Sequence, residues 1–200
     1  MKKILKWGLI AFIGLIIICA IAGGENDNPN ESSEPASATA TATQEETIVT
    51  ETANYIVDDG MYKVGTDIQP GEYLIVADGM AYYELDKDSS GNLESVISND
   101  NFTINRYIQI KEGEYLKLKN CKLYAVDKAP ELAVKEMYKV GYDLQAGEYK
   151  VVAEGMGYYE VAKNARGGVM NIVANENFEG ETYITVQDGQ YLKLQNAKLK

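Results

Sequence analysis

At 200 residues, with a formal net charge of −11, no histidine and two cysteines, the chain lacks the commonest general base and metal ligand. It also carries too few bases to build a face for nucleic acid. The length suits one or two small domains, the 46% hydrophobic content is that of an ordinary globular protein, and nothing in the composition calls for a cofactor.

The chain opens with MKKILKWGLIAFIGLIIICAIAGG, Met1 to Gly24, which holds three lysines and no acid, so the remainder carries −14. Its apolar run from Trp7 is just long enough to span a bilayer and slightly long for a cleaved signal. Three readings stand. A lipoprotein signal would lipidate Cys19, but the residue before it is Ile18 rather than a small one. Cleavage after Ala20-Ile21-Ala22 fits the small-x-small pattern, although the apolar run continues right up to it. The favoured reading is an uncleaved, single-pass anchor over 1–24 in the cell membrane, with Lys2, Lys3 and Lys6 on the cytoplasmic side and the C-terminal part extracytoplasmic. Residues 25–56, rich in Asn, Pro, Ser, Thr, Ala and Glu around ASATATATQEE, are expected to form a disordered acidic stalk.

Beyond the stalk the chain says the same thing twice. MYKVGTDIQPGEY, from Met61, returns as MYKVGYDLQAGEY, from Met137, and the alignment runs on without a gap: Gly65 with Gly141, Tyr83 with Tyr159, Phe102 with Phe178, Leu118 with Leu194. A repeat of that size is a whole small domain. The expected organisation is a first module over 57–124, a linker over 125–136 and a second module over 137–200. Cys121 faces Ala197 in the other copy and has no disulfide partner, so packing must hold the modules together.

Each copy reads as β structure throughout. GEYLIVADG, MAYYELDKD, RYIQIKEG and EYLKLKNCKL are short runs rich in Tyr, Ile, Val and Leu, bounded by turn residues. Gln69-Pro70-Gly71-Glu72 suits a type II turn with Gly71 at positive φ. Asp78-Gly79, Glu112-Gly113, Glu154-Gly155 and Asp188-Gly189 read as tight hairpins. The expected fold is all-β: two tandem antiparallel sandwiches or partly open barrels of about six strands each. Alternation assigns the faces. Ile108, Ile110, Leu116 and Leu118 should form the core, with Ile184, Val186, Leu192 and Leu194 as their twins. A unit of some 65 residues is near the lower size limit for folding alone, so contact between the modules is expected.

The pattern Y-K-V-G-x-D-[IL]-x-x-G-E-Y, then Y-Y-E, then N-[DE]-N-F, then G-x-Y-L-K-L resembles a repeat of membrane-anchored or lipoprotein-like surface proteins of Gram-positive bacteria. The resemblance spans both copies. It implies a cell-surface location and brings no catalytic residues with it.

Several stretches invite a chemical reading. Asp86-Lys87-Asp88-Ser89-Ser90-Gly91 begins like a calcium loop, but Ile97 stands where the bidentate carboxylate belongs and the second copy breaks the pattern, so a polar loop without a metal is expected. Asn99-Asp100-Asn101-Phe102 and Asn175-Glu176-Asn177-Phe178 read as turns with the aromatic plugging the core. The acids shared by both copies are Asp67 with Asp143, Glu72 with Glu148, and Glu84 with Glu160. Two carboxylates flanking one cleft can hydrolyse glycosides, yet with no histidine and no catalytic motif the expectation is a protein that is not an enzyme.

The fifteen tyrosines remain. Tyr82, Glu84, Tyr107, Tyr115 and Lys117 fall on the outward phase of their strands, and Tyr158, Glu160, Tyr183, Tyr191 and Lys193 repeat the set. Such a face suits a glycan or protein ligand, while cross-strand tyrosines also simply stabilise sheets. The sequence therefore predicts a membrane-tethered, extracytoplasmic protein whose duplicated modules bind a cell-envelope glycan or protein partner or act as a spacer. A small envelope glycoside hydrolase and an accessory subunit docking on another membrane protein are the alternatives.

Overall fold

The structure, a computed structural model, describes residues 54–200; the expected anchor and almost all of the expected stalk lie outside them. Five strands form the first sheet: β1 (Gly60–Lys63), β2 (Gly71–Asp86), β3 (Val96–Phe102), β4 (Asn105–Ile110) and β5 (Tyr115–Ala125). The second has four: β6 (Met137–Lys139), β7 (Gly147–Ala162), β8 (Ile172–Val186) and β9 (Tyr191–Leu199). Strand order is β1-β5-β2-β3, with β4 also paired to β2, and β6-β9-β7-β8; every pairing is antiparallel and stays within its own module. Ile56 and Val57 already bond to Leu123, so the first module begins inside the last residues expected of the stalk.

Strand β2 explains the shape. Gly71 pairs with Ile110 at one end and Asp86 with Tyr115 at the other. A straight strand of 16 residues would hold those ends about 50 Å apart. The chain from Ile110 to Tyr115 can span only about 18 Å. Strand β2 must therefore fold over sharply, and the bend is visible in its register. Ala77 pairs with Cys121 and Tyr82 with Lys119, so four residues of β2 face Asn120 alone. Asn120 adopts φ 54°, a left-handed conformation that asparagine tolerates, and its amide donates to the Met80 carbonyl at 3.0 Å. Asn196 repeats this at φ 48°, donating to Met156 O at 3.4 Å. Each module is thus a small, partly open barrel whose one long strand serves both layers.

Four sequence expectations change here. Asp78-Gly79 and Glu154-Gly155 sit at the bend inside β2 and β7 and close no hairpin. Glu112-Gly113 and Asp188-Gly189 are turns, but they carry the chain across the barrel end, because β4 and β5 flank β2 on opposite sides. Gly71 opens β2 and has no positive φ; the tight turn lies earlier, at Gly65 (φ 91°), where Asp67 Oδ2 accepts from Lys63 N at 2.8 Å. Asn99 to Phe102 and Asn175 to Phe178 are strand, paired with Tyr82–Glu84 and Tyr158–Glu160 among others, because their alternation serves the ladder. Phe102 does plug the core.

The expected core is in place. Ile108, Ile110, Leu116 and Leu118 are buried in the first barrel with Tyr83, Phe102 and Leu85; Ile184, Val186, Leu192 and Leu194 are buried in the second. Cys121 is a buried free thiol whose pKa burial pushes up to about 11, which makes it inert packing.

Candidate functional site

The outward faces of the two modules differ because one module packs on the other. The outer face of β2's first half and β4 meets the outer face of β7's second half and β9. Leu74 and Tyr107 are buried there against Met137, Ala162, Ala165 and Tyr191, with the Tyr107 and Tyr191 rings 5.7 Å apart. Polar contacts frame that cluster. Tyr107 Oη donates to Asp143 Oδ2 at 2.8 Å, and Lys139 Nζ reaches both oxygens of Glu72 at 2.9 and 3.0 Å. Arg166 forms a fork onto Glu114 at 2.5 and 3.2 Å. Lys193 pairs with Asp100 Oδ2, which Arg106 Nε also approaches, at 3.5 Å.

Backbone groups join as well. Asn105, fully buried, donates from Nδ2 to Met137 O at 2.8 Å while its Oδ1 accepts from Glu136 N at 2.8 Å. Gln109 N, on the outer edge of β4, donates to Ala165 O at 3.1 Å. Thr103 N donates to Glu136 Oε2 at 2.8 Å. That bond draws the backbone aside where β3 gives way to β4, whereas β8 runs through the matching place unbroken.

The ten predicted site residues fall into four groups. Tyr82, Glu84, Tyr115 and Lys117 share one open face of module 1, with Glu84 opposite Lys117 and Asp86 opposite Tyr115. Tyr158, Glu160, Tyr191 and Lys193 form the matching face of module 2, where Tyr191 and Lys193 are buried at the junction. Tyr107 is 1% exposed, on the module 1 face that module 2 covers, and so is no part of an open surface. Its twin Tyr183 is 62% exposed, on the uncovered far side of module 2. Outward phase on a strand does not distinguish water from a neighbouring domain.

On the open face of module 1, Tyr82 Oη donates to Glu84 Oε2 at 2.5 Å, and Lys117 Nζ stands 3.6 Å from Glu84 Oε1. Burial, then the Glu84 hydrogen bond and charge, hold the Tyr82 phenol well above its ordinary range. Met80, Tyr82, Asn101, Lys117, Lys119 and Asn120 line a shallow depression beside them. Asp86 is 5% exposed and has no ion pair within the chain among the described residues. Burial first, and Glu84 second, raise its pKa.

Three of the other shared acids have structural partners. Asp67 caps the turn after β1, Glu72 binds Lys139, and Asp143 takes Tyr107, Lys135 and the Lys139 amide. Asp88 accepts from Ser90 N and Ser95 Oγ, both at 2.9 Å, in a polar loop. Among the described residues no three Cys, Asp or Glu side chains gather at metal-ligand spacing.

The fold is that of paired all-β modules, and residues 54–125, the first of them, match the family model described as an Rv1352-like extracellular domain. The part of the chain that carries this match is extracytoplasmic. No curated protein and no solved structure matches the chain.

Proposed function

We propose that the protein is a membrane-tethered, extracytoplasmic docking protein without catalytic activity, in which a fixed pair of β modules offers the open face of module 1 to a protein partner. The observation that carries this reading is the use already made of the twin face. Tyr158, Glu160, Tyr191 and Lys193 belong to a surface that holds a β-sheet face, that of module 1, through a buried tyrosine, a salt bridge and backbone bonds. Tyr82, Glu84, Tyr115 and Lys117 repeat those side chains, and among the described residues no module packs upon them. Tyrosines anchor protein interfaces, and complementary charges fix their register.

The extracellular-domain match supports the location, and the lysine-flanked apolar run and the likeness to Gram-positive surface repeats support the tether. Against hydrolysis, Glu84 is engaged by Tyr82 and Lys117, and the Asp86 beside it becomes Ala162 in the second module. The test is photo-crosslinking of the full chain in its native membrane, with a photoreactive phenylalanine at Tyr82 or, as control, at the exposed Met170. Capture of a protein from Tyr82 and not from Met170 is expected. Capture of glycan alone, or of nothing, overturns the reading.

A further inference from the structure

We infer that the partner of module 1's open face is a second copy of this chain, which docks through the open face of its module 2; the inference rests on the docking role proposed above. The contact inside the chain is head to tail, so it leaves one unused half of the same joint at each end. One is the β2 and β5 face of module 1. The other is the β7 and β8 face that carries Tyr183.

The two unused halves match each other as the joined halves do. Lys139 with Glu72 becomes Lys63 with Glu148. Tyr107 with Asp143 becomes Tyr183 with Asp67, and the ring pair Tyr107 and Tyr191 becomes Tyr183 and Tyr115. Lys193 with Asp100 becomes Lys117 with Glu176, acid for acid. Lys63, Asp67, Lys117, Glu148, Glu176 and Tyr183 are all exposed in the single chain.

The positions that changed also changed as a pair. Leu74 and Ala162, both in the apolar cluster between the modules, are replaced on the open faces by Lys150 and Asp86, opposite charges. Asp86 is the buried carboxylate left without an ion pair among the described residues, and a lysine from another chain would supply one. Lys150 rests meanwhile on Glu181.

Three features of the internal joint are missing. Glu136, which accepts from Thr103 N, becomes Gly60. Asn105 becomes Glu181, which accepts but cannot donate to a backbone carbonyl, and the Arg166 to Glu114 fork becomes Ser90 and Gln190. Docking between chains is therefore weaker than docking within one, where residues 125–136 hold the modules at high effective concentration. It forms where chains are crowded at a membrane, and because each contact leaves a further pair of halves free, it builds rows.

The test mixes isotopically labelled and unlabelled full chains in liposomes and joins amines to carboxylates with a carbodiimide. Cross-linked peptides of mixed isotope, linking Lys63 to Glu148 and Lys117 to Glu176, are expected. K63E or E148K alone removes one reacting group of the first link and so abolishes it; the loss of that exposed ion pair should also lower the second link by roughly two- to fivefold, and the double reversal should restore both. Y183D, at a residue exposed enough to leave folding intact, should remove both. Absence of mixed products, or equal yield in Y183D, overturns self-docking. If the photoreactive Tyr82 then still captures a different protein, the docking role stands without it; if it captures nothing, both fall.

Discussion

Lys139 on β6 reaches across the junction to chelate the Glu72 carboxylate on β2, at 2.9 and 3.0 Å. Both side chains are partly exposed, so the pair sits between a solvent-screened contact and a buried one. Its double-mutant cycle, with each residue changed to Ala, should show a coupling of about 1 kcal/mol. Urea unfolding of the four variants measures it.

Asn105 is the member of the junction with no substitute. Asn105→Ala strands the Met137 carbonyl and the Glu136 amide in a buried setting, and each orphaned group costs about 1–3 kcal/mol. The variant should unfold in two thermal steps where the parent chain unfolds in one. Calorimetry decides between them.

Gly167 lies where the second module's loop touches the open edge of the first barrel. A Cβ there would stand 2.8 Å from Tyr83 Oη and 2.9 Å from Ser98 Cβ, and φ is already +69°. Gly167→Val should destabilise the junction by about 1–3 kcal/mol. Gly91, its twin, has open space around it, so Gly91→Val suffers only from backbone conformation, φ +71°, and the difference between the two melting temperatures isolates the contact.

Ionisation separates the two ends of the pH scale. Burial, then hydrogen bonds to Asp143 and Glu72, hold Tyr107 and Tyr191 above the ordinary phenol range. Their folded pKa exceeds the unfolded value, so the stability they contribute is whole below about pH 10 and is lost as pH rises beyond it. Tyr107→Phe should flatten that alkaline decline in melting temperature. Asp86 works at the other end: its raised pKa means that ionisation costs stability as pH climbs above about 4. Asp86→Ala, which copies Ala162, should raise the melting temperature at pH 7 and leave it unchanged at pH 3.

The barrel interior was legible because strand periodicity is local. Ile108, Ile110, Leu116 and Leu118 alternate with polar neighbours, and that alone points them inward. The fold-over of β2 was not, since it depends on Asn120 meeting four residues of a strand some 40 positions away. The junction was hidden for a different reason. Tyr107 and Tyr183 occupy the same phase, yet one is covered and the other open. Agreement between the copies marks the tyrosines, whereas the junction is marked by disagreement: Leu74 against Lys150, Asn105 against Glu181, Ala162 against Asp86, Arg166 against Ser90. Even an identical residue is treated differently, for Met137 is 1% exposed and Met61 49%.

Tyrosine footprinting tests the docking face most directly, by comparing iodination of the full chain in its native membrane with that of the same chain purified and dilute. Tyr82 and Tyr115 should be labelled several-fold less in the membrane, while Tyr142, 59% exposed in the turn of module 2 beside Asp143, is labelled equally in the two. Equal labelling of Tyr82 and Tyr115 in both settings would contradict a docking role for module 1.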